Sequence, residues 1–186
     1  ENREGIVDNL RKQGVNLKGI RMNQGKRQDD GWKKWQTETC DEELPIEDNF
    51  MVIGGKISNG LVVFDCDFQD FKIIEKLFPN ILNQTLVIQT GNGYHIYLFL
   101  DKPCTNFKLK KDGKIIETKA EGGYVIGPSS KHFDKDENSQ YYLSGKVYKI
   151  ISNVTTIKSE SYDNIFSRLG RNGWKGSGIK DFGNVT

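Results

Sequence analysis

The chain has 186 residues, enough for one domain with its own core but not for several. Hydrophobic residues make up 35% and charged residues 28%, which excludes a disordered or fibrous chain. Lys and Arg number 27 against 25 Asp and Glu, so the net of +2 does not by itself mark a nucleic-acid binder; what matters is how the signs are segregated.

Mean hydropathy is −0.61. No apolar run approaches the roughly 18 residues of a membrane helix, so none is expected. The start, Glu1-Asn2-Arg3-Glu4, is polar, lacks Met and has no signal-peptide character. It reads as the start of an excised piece, with a cytoplasmic location expected. Cys40, Cys66 and Cys104 are scattered, without a CxxC pair. That spacing argues for free thiols in a reducing compartment, against a disulfide framework or a zinc site.

In chain order, residues 4–13 carry Ile6, Val7 and Leu10 at helical spacing, with Gly14 as a stop. Residues 23–48 form a polar stretch with Lys26, Arg27, Lys33, Lys34, Trp32 and Trp35. It is expected as loop with short helical turns, either a solvated surface or a basic lip over a substrate. Met51 to Ile53 reads as a strand ending at Gly54-Gly55, and Leu61 to Asp67 as a buried strand ending in acids. Asp70 caps a helix carrying Phe71, Ile74, Leu77 and Phe78, stopped by Pro79-Asn80. Strands are expected at 86–90 and 94–100, joined by an Asn92-Gly93 turn, and at 108–111 and 114–119, joined by Asp112-Gly113. Residues 123–127, 141–143 and 147–151 complete the strands. Ser161 caps a helix with Ile165, Phe166 and Leu169 on one face and Gly170 after it. A Gly-rich tail or linker is expected from Arg171 to Thr186. The class is α+β, with residues 1–158 as the main domain and 159–186 as helix and tail.

Three patterns carry chemistry. Asp65-Cys66-Asp67 ends an apolar strand, and residues two apart share a face, so both carboxylates project together while Cys66 points away. Paired carboxylates repel unless a cation such as Mg²⁺ lies between them. Surface acids are the plain alternative, and nucleases and glycosyltransferases use such pairs too. Next comes Thr90-Gly91-Asn92-Gly93-Tyr94-His95. A turn at Asn92-Gly93 pairs Thr90 with His95 and puts Ile88, Thr90, His95 and Tyr97 on one face. Backbone N–H groups beside a His and a hydroxyl suit a phosphate; a plain hairpin is the alternative. The last pattern is Glu117 and Lys119 on one strand face, followed by Gly122 to Pro128 and the polar run Ser129, Ser130, Lys131, His132. Here the choice is between a third carboxylate with a phosphate-binding Lys and an ordinary surface pair.

The order is an acid pair on a strand, a Gly-turn-His hairpin 28 residues on, then a strand acid 22 residues further. This resembles the catalytic domain of the archaeo-eukaryotic primase superfamily, in its primase-polymerase branch of plasmid and viral replication proteins. Asp65 and Asp67 match the first motif, Gly93-Tyr94-His95 the second, and Glu117 with Gly122 to Ser130 the third. Ser58-Asn59-Gly60-Leu61 resembles the family's approach to its first motif. The resemblance covers roughly residues 15–150. It departs in using Glu117 where Asp is common, and Gly93 where a hydroxyl residue can stand.

The resemblance implies an N-terminal αβ unit plus an RRM-like unit, with hairpin-rich mixed or antiparallel sheets and flanking helices. It implies template-directed nucleotidyl transfer, making or extending primers on single-stranded DNA. Two Mg²⁺ or Mn²⁺ ions would be held by Asp65, Asp67 and Glu117. Thr90, Gly93, His95, Lys119, Ser129, Ser130 and His132 would contact a (d)NTP. Lys26, Arg27, Lys108, Lys110 and Lys111 would contact nucleic acid. A helicase or a helical primer-holding domain fits the remainder of a longer chain. No membrane partner is implied. The competing readings are a non-catalytic single-stranded nucleic-acid-binding module and, further off, a metal-dependent nuclease or nucleotide-sugar transferase.

Overall fold

A computed structural model describes residues 2–20, 31–44 and 49–176. Lys26, Arg27 and the distal part of the expected tail, 177–186, lie outside these residues.

Helix α1 (Arg3–Lys12) is capped by the Asn2 side chain, which accepts from the N–H of Gly5, and it buries Ile6, Val7 and Leu10. Strand β1 (Asn16–Ile20) follows, then a 3₁₀ turn at Trp32–Gln36 and β2 (Asn49–Ile53). The Ile53-Gly54-Gly55 to Gly60-Leu61 segment is a tight crossover between two sheets. Ser58 is buried there; its hydroxyl donates to the carbonyl of Ile53 and accepts from the N–H of Asn16. Strand β3 (Leu61–Cys66) leads into α2 (Phe71–Leu77), whose N-cap is Asp70. Then come β4 (Val87–Gln89), β5 (Tyr94–Leu100), β6 (Lys108–Lys111), β7 (Lys114–Lys119) and β8 (Tyr124–Ile126). The chain continues with β9 (Lys131–Lys135), β10 (Tyr141–Val147), β11 (Lys149–Ile150), β12 (Lys158–Glu160) and α3 (Tyr162–Arg171).

The large sheet has the order β11-β4-β5-β3-β7-β6, and β12 adds to β5 in parallel beyond the end of β4. A three-stranded sheet, β1-β2-β8, is antiparallel throughout. A two-stranded ribbon, β9-β10, stands by itself. The fold is α+β, as a sequence rich in hairpins with helices between leads one to expect.

Strand alternation splits the core in two. Val62, Phe64, Cys66, Ile96 and Leu98 face α2 and α3, where Phe64 meets Phe78 and Phe166. Leu61, Val63 and Tyr97 face the three-stranded sheet and α1. Because β3 is covered on both faces, it reads as a near-continuous apolar run. All three cysteines are free and buried. Burial raises the thiol pKa of Cys66 well above the ordinary value and pushes that of Cys104 up to about 12.

Some elements differ from expectation. The first hairpin turns at Gly91-Asn92, not Asn92-Gly93: Gln89 pairs with Tyr94, and the N–H of Thr90 donates to the carbonyl of Gly93. The Thr90 hydroxyl decides this by accepting from the N–H groups of Asn92 and Gly93. The two-residue shift leaves the faces as expected, but His95 now pairs with Ile88 and not with Thr90. Ser129 to His132 is not all turn, since β9 begins at Lys131. Gly170 lies inside α3, which runs on to Arg171. The expected tail starts later, because Trp174 is buried against Phe68 and Lys175 pairs with Lys110. The second hairpin is as expected, with Asp112 and Gly113 both at positive φ.

Candidate active site

The site begins with register. Asp65 on the central strand β3 is directly opposite His95 on β5 and directly opposite Glu117 on β7. The three side chains therefore form one row across three adjacent strands, on the face that also carries Val63 and Tyr97. After Cys66 the chain stays beside β7 for one more residue, with the N–H of Asp67 donating to the carbonyl of Ile115. Asp67 thus shares the face of Asp65, and Cys66 turns into the opposite core.

Two like charges directly opposed in an antiparallel pair repel. Each carboxylate here has a basic neighbour. Lys119 Nζ is 2.8 Å from Glu117 Oε1, and His95 Nε2 is 3.4 Å from Asp65 Oδ1. His95 is buried, and its Nδ1 is enclosed without a hydrogen-bond partner.

The row forms the wall between two adjoining cavities. Asp65, His95, Glu117 and Tyr148 line both. The first, about 400 Å³, opens between the two sheets and is completed by Trp32, Tyr124, Asn106, Lys119 and the Gly122-Gly123 turn. The second, about 240 Å³, adds Asp67, Thr90, Asn92, Gly93, Lys108 and His132.

Close approach explains both hairpin glycines. A Cβ on Gly93 would run into the carbonyl oxygen of Cys66, so glycine lets the hairpin sit against the end of β3. A Cβ on Gly91 would occupy the imidazole of His132. His132 is itself buried, with Nδ1 2.8 Å from the Ser144 hydroxyl and 4.0 Å from Asp134 Oδ1. The Ser144 hydroxyl also donates to the carbonyl of His132, so Nδ1 is the donor in the ring–hydroxyl pair.

The fold thus brings Asp65, Asp67, Glu117, His95, Lys119, Thr90, Gly93, His132 and Lys108 around the two cavities. It does not bring the others there. Ser129 and Ser130 lie behind the wall, their backbone exchanging hydrogen bonds with Tyr148 and their hydroxyls buried without partners. Lys110 is exposed on the edge strand β6, its backbone paired with Lys175. Lys111 turns to the end of α3, where its ammonium donates to the carbonyl of Asn172.

Sequence reading missed two residues of the wall. Tyr148 sits between the imidazoles, with ring centroids 5.9 Å from His95 and 5.7 Å from His132. Burial, and then the charges of Asp65 and Asp134, raise its phenol pKa far above the usual value, so it stays a neutral O–H group. No motif marks it; only its place between β10 and β11 brings it in. Asn106 accepts from the N–H of Ala120 and donates to the carbonyl of Glu121, which fixes the Gly122-Gly123 turn.

Among the described residues, no three His, Cys, Asp or Glu side chains gather into a ready-made cation cage. The donor set still suits a hard divalent ion, because it offers carboxylate oxygens held side by side by strand register.

Fold and site together define an α+β protein with an acid-and-histidine row on the central strands of its sheet. The chain belongs to the family of bifunctional DNA primase/polymerase N-terminal domains, whose sequence profile matches residues 20–156. That family carries DNA primase and DNA polymerase activity, with DNA and nucleotides as substrates. A comparison with curated proteins finds no match.

Proposed function

We propose that this domain transfers nucleotidyl groups on a single-stranded DNA template, making or extending primers in replication. The observation that carries the reading is the in-register row of Asp65, Glu117 and His95 at the junction of two cavities.

Asp65, Asp67 and Glu117 would hold two Mg²⁺ or Mn²⁺ ions. Bound there, the ions would lower the pKa of a 3′-hydroxyl and neutralise charge on the triphosphate. The chain's own groups supply the rest. Lys119, whose ammonium is 2.8 Å from Glu117 Oε1, would stand beside the ions and meet an anionic oxygen of the nucleotide. His95 and Tyr148 line the same space, and Tyr148 keeps its phenol proton at any working pH. The Thr90–Gly93 turn and His132 border the smaller cavity, which suits phosphate oxygens. The larger cavity, with Trp32, Tyr124 and Tyr148 on its walls, suits a nucleoside. Lys108, Lys110 and Lys111 are proposed for the nucleic-acid backbone, of which Lys108 is at the cleft. A helicase or a primer-holding helical domain elsewhere in a longer chain would complement this activity.

The test is an incubation with a single-stranded template, labelled nucleotides and Mn²⁺, with and without primer. Extension or de novo products support the reading. Mn²⁺-independent template binding with no incorporation would replace it with the non-catalytic binding module.

A further inference from the structure

Strands β9 and β10 do not pair residue for residue. Leu143 is opposite Phe133 and Val147 is opposite Lys131, so Ser144, Gly145 and Lys146 stand opposite His132 alone. Gly145 accommodates this bulge with a φ of +84°, and no atom lies near the place its Cβ would take. Bulges beside active sites re-aim side chains. Both side chains of this one are used on the border of the smaller cavity.

Ser144 holds an imidazole. Its hydroxyl accepts from Nδ1 of His132 at 2.8 Å, donates to the His132 carbonyl and accepts from the N–H of Lys146. Asp134 Oδ1, 4.0 Å from Nδ1, is too far to take that hydrogen bond. Lys146 holds a hairpin. Its ammonium donates to the carbonyl of Gly91 at 3.1 Å. The two grips meet, because a Cβ on Gly91 would fall on Nε2 and Cε1 of His132. With Nδ1 committed to Ser144, Nε2 is the ring nitrogen turned to the hairpin.

The Thr90–Gly93 turn needs such supports. Its N–H groups at Asn92 and Gly93 are taken by its own Thr90 hydroxyl, so they do not tie it to its surroundings. One end rests on the Cys66 carbonyl through Gly93, and the other rests on His132 and Lys146 through Gly91.

We propose that the Ser144–Lys146 bulge is a positioning device for the phosphate side of the site. Ser144 sets the tautomer and orientation of His132, and Lys146 sets the place of the Thr90–Gly93 turn. Both are positioning residues, each acting through the group it holds. The device rests on the proposed polymerase reading, in which His132 and that turn border the triphosphate. A bulge that only shaped the ribbon would use neither the hydroxyl nor the ammonium on the cleft.

The test has two readouts. The chain has two histidines, so ¹⁵N NMR can follow each ring. In the neutral ring of His132, wild type and Ser144→Thr are expected to carry the proton on Nδ1, and Ser144→Ala to lose that preference. The second readout is primer extension with Mn²⁺ and a varied deoxynucleoside triphosphate. Ser144→Ala and Lys146→Ala are each expected to raise KM roughly five-fold, as the loss of one hydrogen bond does, with kcat within about two-fold of wild type. Ser144→Thr and Lys146→Arg, which keep the hydroxyl and the charge, are expected to stay within about two-fold in both constants. Circular dichroism checks that all variants keep the fold. Unchanged KM in both alanine variants, or a fall in kcat alone, would overturn the device and leave the polymerase reading intact. A His132 tautomer unmoved in Ser144→Ala would overturn the part given to Ser144. No incorporation by the folded wild type, with or without primer, would overturn the polymerase reading and the device's role in it together.

Discussion

Gly93 shows how one residue ties the hairpin to the acid strand. Its missing Cβ leaves room for the carbonyl of Cys66, the residue between the two aspartates. Gly93→Ala has no such room and must push the hairpin away from β3. The expected cost is about 1–3 kcal/mol, read as a lower melting temperature. Gly113→Ala, in the other hairpin, meets no atom and pays only for its positive φ. Equal melting temperatures for Gly93→Ala and wild type would contradict the close packing. At this scale the sequence was most legible for acids on strands. Asp65 and Asp67 share a face because strands alternate, and no tertiary knowledge is needed for that. Tyr148 was not legible, because its neighbours His95 and His132 are far away in sequence and meet it only through the fold.

Elements read well where local signals agreed. The Asp112-Gly113 hairpin has both turn residues at positive φ, as a two-residue turn requires, and that turn sets the register from Lys111 opposite Lys114. The helix caps Asn2, Asp70 and Ser161 are where side-chain chemistry requires them. The Gly91-Asn92-Gly93 run offered two possible turns, and the Thr90 hydroxyl, not the Asn-Gly pair, selected between them. Three strands had no local signal. β9 is Lys-His-Phe-Asp-Lys and β12 is Lys-Ser-Glu, both polar, while β1 contains Gly19. Each is held by its partner strand, not by its own propensity. The apolar strands, in contrast, carry the stability. Phe64→Ala removes a fully buried ring packed on Phe78 and Phe166, with an expected loss of about 3–5 kcal/mol in denaturant unfolding. A loss under about 1 kcal/mol would contradict the packing described.

For the whole molecule, the near-neutral charge conceals an ordered arrangement. Asp65, Asp67 and Glu117 meet on β3 and β7 and the residue after β3, and Lys108, Lys110 and Lys111 lie beside them on β6. The buried acids of the core predict a pH dependence. Cys66 and Cys104 start from 9.0, and Tyr97 and Tyr148 from 10.0; all four are raised by burial. The unfolded chain loses these protons before the folded one does. Stability is therefore complete below about pH 9 and falls as the pH rises toward 12 and beyond. Unfolding titrations from pH 8 to 11 should show that decline, and a flat profile would contradict the burial of these groups. No described helix is long and apolar enough to cross a membrane.

The nucleotidyl transfer proposed for the Asp65–Glu117–His95 row, with Asp67 beside it, can be tested on the two aspartates. The most direct measurement is primer extension on a single-stranded template with Mn²⁺, comparing wild type with the Asp65→Ala, Asp67→Ala double variant. Both aspartates are at the surface of the cleft and not in the core, so the variant is expected to keep its fold by circular dichroism. Metal-dependent extension by the wild type and none by the variant is the expected result. Extension retained by a folded double variant would contradict it.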